Sequence, residues 1–160
     1  MIRPFLRWPD RRLARAASPV AVVDDAVRAL WEDMLQTMYA MPGVGLAAPQ
    51  IGVMRRIAVV DAGQGPIRLA NPEVIHASME MHIHEEASPN LPGVSAKVAR
   101  PRAVTVSYLD ETGQAVERDF VKLEATSVQH QIDHLDGKLY IHRLSKLKRD
   151  MLVRKAAKCG

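Results

Sequence analysis

The hydrophobic period changes repeatedly along this chain, and the succession limits the folds open to it. From Asp24 to Ala40 the apolar residues Val27, Leu30, Trp31, Met34, Leu35 and Met38 recur at helical spacing. Asp24 or Asp25 supplies a cap and Pro42-Gly43 a stop. Arg56 to Asp61, with Ile57, Val59 and Val60, reads as a buried strand. Between Glu73 and Glu85 the period falls to two. Met79, Met81 and Ile83 share one face and Ser78, Glu80, His82 and His84 the other, which predicts one half-buried strand. Ala103 to Leu109 and Gln114 to Val121 flank Asp110-Glu111-Thr112-Gly113 as a hairpin. A helix is expected from Leu123 to Leu135, and Ser145 caps a last one running to about Ala157. Strands on either side of an internal helix, with further helices towards both ends, predict an α+β fold rather than βαβ units.

At 160 residues, without repeats or low-complexity linkers, the expectation is one domain over residues 1–160. No apolar run is long enough to span a bilayer, and the N-terminus has no signal-peptide core, so neither a membrane segment nor secretion is expected. The only cysteine is Cys159, which excludes an intramolecular disulfide and fits the cytoplasm. A net charge of +4 is modest and gives no reason to expect DNA binding. The basic residues concentrate in two places, Arg3 to Arg15 and Arg143 to Lys158. Such a face is either simply solvated or a patch for an anionic partner such as ribosomal RNA.

Two segments carry chemistry. His130-Gln131-Ile132-Asp133-His134 sets two imidazoles one helical turn apart, near enough to share a metal ion, or else to be two polar residues on a packed face. Metal hydrolases of this pattern follow the first histidine with a glutamate that shuttles protons; here Gln131 stands there, and an amide takes up no proton at neutral pH. Gly43-Val44-Gly45-Leu46-Ala47-Ala48-Pro49-Gln50 lets backbone approach a ligand closely, with Gln50 as a neutral donor, or else forms a tight packed loop.

Together these segments resemble the peptide deformylase family. Gly43 to Gln50 matches its Gly-x-Gly-x-Ala-Ala-x-Gln run, and His130 to His134 matches its His-Glu-x-Asp-His run except at Gln131. The likeness extends through Trp8 to Leu13, Asn71-Pro72, Glu85-Glu86, His134 to Tyr140 and Arg143 to Arg149. It implies antiparallel sheets around a central helix carrying the histidine pair, with helices towards both termini. It also implies hydrolytic removal of the formyl group from the N-terminal methionine of nascent peptides. The family uses a divalent metal, iron or zinc among others, held by two histidines and a cysteine. By that resemblance His130 and His134 are metal ligands, Gln50 stabilises the oxyanion, and Gly43, Val44, Gly45 and Leu46 line a peptide groove.

The departures cluster. The family's Glu-Gly-Cys-Leu-Ser run corresponds to Glu86-Ala87-Ser88-Pro89-Asn90. Ser88 thus holds the place of the thiolate ligand, and a neutral hydroxyl is a weak substitute. Pro89 has no N–H where the family uses a backbone donor to the oxyanion. Gln131 stands in the catalytic position of the family's glutamate. The wall before the first histidine, Leu123, Thr126 and Ser127, is more polar than the family's. The expectation is therefore a metal-dependent amide hydrolase by descent, impaired or inactive as an enzyme. The alternative is a non-catalytic protein that binds nascent peptides or the ribosome. Two rescues are conceivable from sequence: His82 or His84 reaching the metal, or Ser88 acting as a nucleophile.

Overall fold

A computed structural model describes residues 1–159. Helix α1, Asp25–Ala40, begins where Asp24 accepts a hydrogen bond from the Val27 N–H at 3.0 Å. Its apolar stripe is buried as the spacing requires, and Trp31 also donates to the Leu69 carbonyl. Full burial of one large apolar side chain is worth about 1.5–3 kcal/mol, so this face alone fixes the helix to the sheet beneath.

Among the described residues seven strands follow in order: β1 Gly45–Ala47, β2 Ile57–Val60, β3 Ile67–Ala77, β4 Met81–Glu86, β5 Ala96–Pro101, β6 Ala103–Leu109 and β7 Ala115–Val121. Five form an antiparallel sheet in the order β1-β2-β3-β6-β7, and β4 and β5 form a separate antiparallel ribbon. Helix α2, Lys122–Leu135, packs against the large sheet and reaches β5 of the ribbon. Strand β2 is buried on both sides. Ile57 and Val59 meet α1, whereas Val60 joins the cluster of Ala125, Val128 and Ile132 from α2. A continuous apolar run is what such a strand needs. Helix α3, Lys146–Lys158, closes the described chain, with the Ser145 hydroxyl accepting from the Lys148 N–H.

The α+β architecture with a central histidine-bearing helix is as expected, and so are α1, β2, the β6–β7 hairpin and the last helix. One expectation is overturned. Glu73 to Glu85 is not one strand: β3 ends at Ala77, and β4 begins at Met81 in the other sheet. The alternation survives in β4 but is inverted, because Met81 and Ile83 are exposed while His82 and His84 turn towards α2. The inner face of the ribbon covers a polar stretch of helix, so polar side chains belong there. The loop expected after α1 also contains β1 and a short 3-10 turn, Ala48–Ile51.

Candidate active site

Helix α2 is buried on every side from Ala125 to Leu135, yet it carries Thr126, Ser127, Gln129, His130, Gln131, Asp133 and His134. Burying so many polar groups costs several kcal/mol unless each finds a partner. Most do. Ser127 donates to the Val44 carbonyl at 2.9 Å, Gln129 to the Pro101 carbonyl at 3.0 Å, and His130 Nδ1 lies 2.8 Å from Glu86.

Beneath the histidines runs a buried ionic chain. Arg100, from β5, is fully buried and meets Glu86 through Nε and Nη2 at 2.6 and 2.8 Å, and Asp133 through Nη1 at 2.9 Å. Arg143 grips Asp133 from the other side at 2.7 and 2.8 Å. Burial pushes both carboxyls up, but the hydrogen bonds outweigh it: those of Arg100 and His130 hold Glu86 below its ordinary value. Arg143 and Arg100 do the same for Asp133. Glu86 thereby fixes the His130 tautomer, with Nδ1–H to the carboxylate and Nε2 turned towards His134.

The two Nε2 atoms are 3.2 Å apart, close to the separation of two ligands on one tetrahedral ion with metal–nitrogen bonds of about 2.0–2.1 Å. Burial first, and the neighbouring His130 second, push His134 well below the usual imidazole value. Its Nδ1 is buried without a hydrogen-bond partner. A ligating histidine normally anchors that second nitrogen, so the support expected around a metal ligand is missing here.

The third corner is Ser88. Its hydroxyl is buried and donates to Asn90 Oδ1 at 3.1 Å, while Gln50 Nε2 approaches it at 3.4 Å. Asn90 draws the neighbourhood together. Its Oδ1 also accepts from Gln50 Nε2 at 2.8 Å, and its Nδ2 donates to the Leu6 and Gln50 carbonyls at 2.6 and 3.0 Å. Among the described residues no group of three histidine, cysteine, aspartate or glutamate side chains converges as metal ligands. Two imidazoles and a committed hydroxyl do not fit the family's metal, which takes a thiolate as its third protein ligand.

These residues line a cleft of about 440 Å³. Met41 to Gly45 form one wall, Glu85 to Pro89 another, and Leu123, Thr126, Ser127, His130 and Gln131 the floor, with Gln50 at the back. A side chain at Gly45 would bring a Cβ within 2.4 Å of both Gln131 Nε2 and Ser127 Oγ, which explains a glycine there. Gln131 is buried, and its Oε1 has no hydrogen-bond partner. Of the groove residues named from sequence, Gly43, Val44 and Gly45 line the cleft, whereas Leu46 is buried in the core against α1. His82 and His84 are not gathered with His130 and His134; both ring nitrogens rest on the Thr126 hydroxyl.

Sequence reasoning missed Arg100 and Asn90. Asn90 differs from the family's run and carried that signal; Arg100 carried none that set it apart from the exposed Lys97 of the same short strand.

A family model described as polypeptide deformylase matches residues 2–150. A peptide deformylase of Methylocella silvestris is 46% identical, the match covering 99% of this chain and 85% of that one. A protein of Bradyrhizobium diazoefficiens named peptide deformylase-like is 48% identical over 98% of this chain and 94% of its own. The crystal structure of a peptide deformylase from Legionella pneumophila superimposes with a TM-score of 0.92 at 42% identity, covering 99% of this chain and 95% of that one. A central helix with facing histidines, the glycine-rich wall opposite it and full-length similarity agree: the chain belongs to the polypeptide deformylase family.

Proposed function

We propose that this chain is a pseudoenzyme of the deformylase family, a cytoplasmic protein that keeps the peptide cleft and has lost most or all of the hydrolytic chemistry. The observation that carries this reading is the commitment of Gln50: its amide donates to Asn90 at 2.8 Å, in a site whose other oxyanion donor is removed by Pro89. Three further features agree. Ser88 is a weak metal donor, Gln131 cannot carry a proton between water and leaving group, and His134 lacks an anchor on Nδ1. Where any ion is held at His130 and His134, Gln131 does no more than orient water.

Loss of one oxyanion donor typically costs about 10²–10³ in rate, and loss of a general acid–base group about 10²–10⁴. These effects do not simply multiply. Dialysed protein is expected to hold substoichiometric iron or zinc and to release formate from formyl-Met-Ala-Ser at least about 10³-fold more slowly than an active relative. Stoichiometric metal with comparable turnover overturns the proposal.

A second reading is a binding protein for nascent peptides at the ribosome, and the surface of α3 favours it. Lys146, Lys148, Arg154, Lys155 and Lys158 are exposed there, Arg149 is half-buried, and Asp150 is the only acid in the helix. This reading predicts cosedimentation with ribosomes at low salt that fades as salt rises, and that weakens when Lys146, Lys148 and Arg149 are neutralised. Absence of the protein from the ribosomal pellet at low salt sinks it.

A further inference from the structure

We infer that His82 and His84, on the inner face of β4, form a separate cation site beside the floor of the cleft, suited to a borderline divalent ion such as copper(II) or nickel(II). His82 Nε2 lies 2.9 Å and His84 Nδ1 2.7 Å from one atom, the Thr126 hydroxyl oxygen. The two rings are neighbours, with centroids 4.2 Å apart and planes tilted by 42°. Two nitrogens that converge on one oxygen need only a shift of about 1 Å each to bind one ion at the usual 2.0–2.1 Å. The spacing arises from the strand itself, since residues two apart share a face.

The hydrogen bonding of the pair to Thr126 also matters. A hydroxyl has one proton, and its other neighbour, the Lys122 carbonyl, is a distant 3.5 Å away. With both rings neutral and the proton given to one of them, that ring turns a lone pair to the oxygen and the other an N–H. Because the oxygen meets Nε2 of His82 but Nδ1 of His84, the two rings then hold the same tautomer, both Nδ1–H or both Nε2–H. A cation takes a lone pair from both and leaves the hydroxyl as a weak third donor.

Burial, then the charges of His84 and Arg102, hold His82 below the ordinary imidazole value, so one ring nitrogen has its lone pair available at neutral pH. The charged neighbours are accounted for: Arg102 is paired with Glu80 at 2.9 Å, and Glu86 is taken up by Arg100 and His130. Two neutral nitrogens with little surrounding charge favour copper(II) over zinc in the usual order of divalent affinities. Thr126 belongs to the cleft floor. His82 and His84 do not themselves line the cleft, so an ion on this pair stands beside it, with Thr126 between. This site is independent of whether His130 and His134 hold a metal.

The test uses untagged protein titrated with copper(II) chloride. Paramagnetic resonance is expected to report one ion with two equatorial nitrogens, at micromolar affinity. In amide spectra of the unmodified protein, broadening should centre on residues 81–85 and 126. His82→Gln with His84→Gln is expected to weaken binding at least about tenfold, whereas His130→Gln with His134→Gln leaves it in place. Copper binding unchanged in the first double variant, binding lost only in the second, or no uptake at micromolar concentration overturns the site. Formate release measured on the same samples reports on the deformylase proposal separately.

Discussion

Ser88→Cys is expected to keep an equivalent of divalent ion through dialysis, where the parent is expected to lose it. The two Nε2 atoms already stand 3.2 Å apart, so two corners of a tetrahedron are set. A thiolate supplies the charge and softness that the Ser88 hydroxyl lacks, and the expected gain in affinity is at least about 10²-fold. Turnover needs more, because the Gln131 amide takes up no proton at neutral pH and Gln50 is held by Asn90. Combining Ser88→Cys with Pro89→Leu, Asn90→Ser and Gln131→Glu is expected to raise formate release by at least about 10³-fold over the parent. Metal content by plasma emission and formate by a coupled assay report the two steps separately. A folded, metal-loaded fourfold variant no faster than the parent places the defect elsewhere in the cleft.

The second large effect concerns stability. Arg100→Met leaves Glu86 and Asp133 buried without their shared cation, and breaking one side of a buried ion pair costs about 3–5 kcal/mol. For a chain of this size that corresponds to a fall in Tm of roughly 6–20 °C. Arg102→Met is the matched control two residues away. Its pair with Glu80 is exposed, and such pairs contribute about 0–1 kcal/mol. Thermal melts of both variants decide the matter: equal losses would mean that the buried chain contributes no more than a surface contact.

The helices and the hairpin were legible because each obeys a local rule. Val27 to Met38 repeat with the helical period, Asp24 and Ser145 are good caps, and Asp110 to Gly113 is a turn by composition. The site was legible through Gly43 to Gln50 and His130 to His134, where residue spacing and family likeness coincide. What sequence could not disclose is chemistry carried across the fold. Strand β5 hides because Arg100 occupies an inward position that the alternation reserves for an apolar residue; only Glu86 and Asp133, 14 and 33 residues away, make that charge acceptable. Strand β4 misleads for the converse reason, since its inner face covers polar side chains and its apolar residues are left outside. The capture of Gln50 by Asn90 likewise joins residues 40 apart.

Asn90 bears on the history open to such a chain. Its side chain joins the Leu6 carbonyl, the Gln50 carbonyl, the Gln50 amide and the Ser88 hydroxyl in one knot. Cutting the knot releases the Gln50 amide, but it also removes one of the bonds that tie the N-terminal segment to the body of the protein, leaving the Leu6 N–H on the Gln50 carbonyl and the Trp8 N–H on the Asn90 carbonyl. A lineage that exchanges Asn90 therefore trades local stability for a freer Gln50 amide, and residue 90 couples the two.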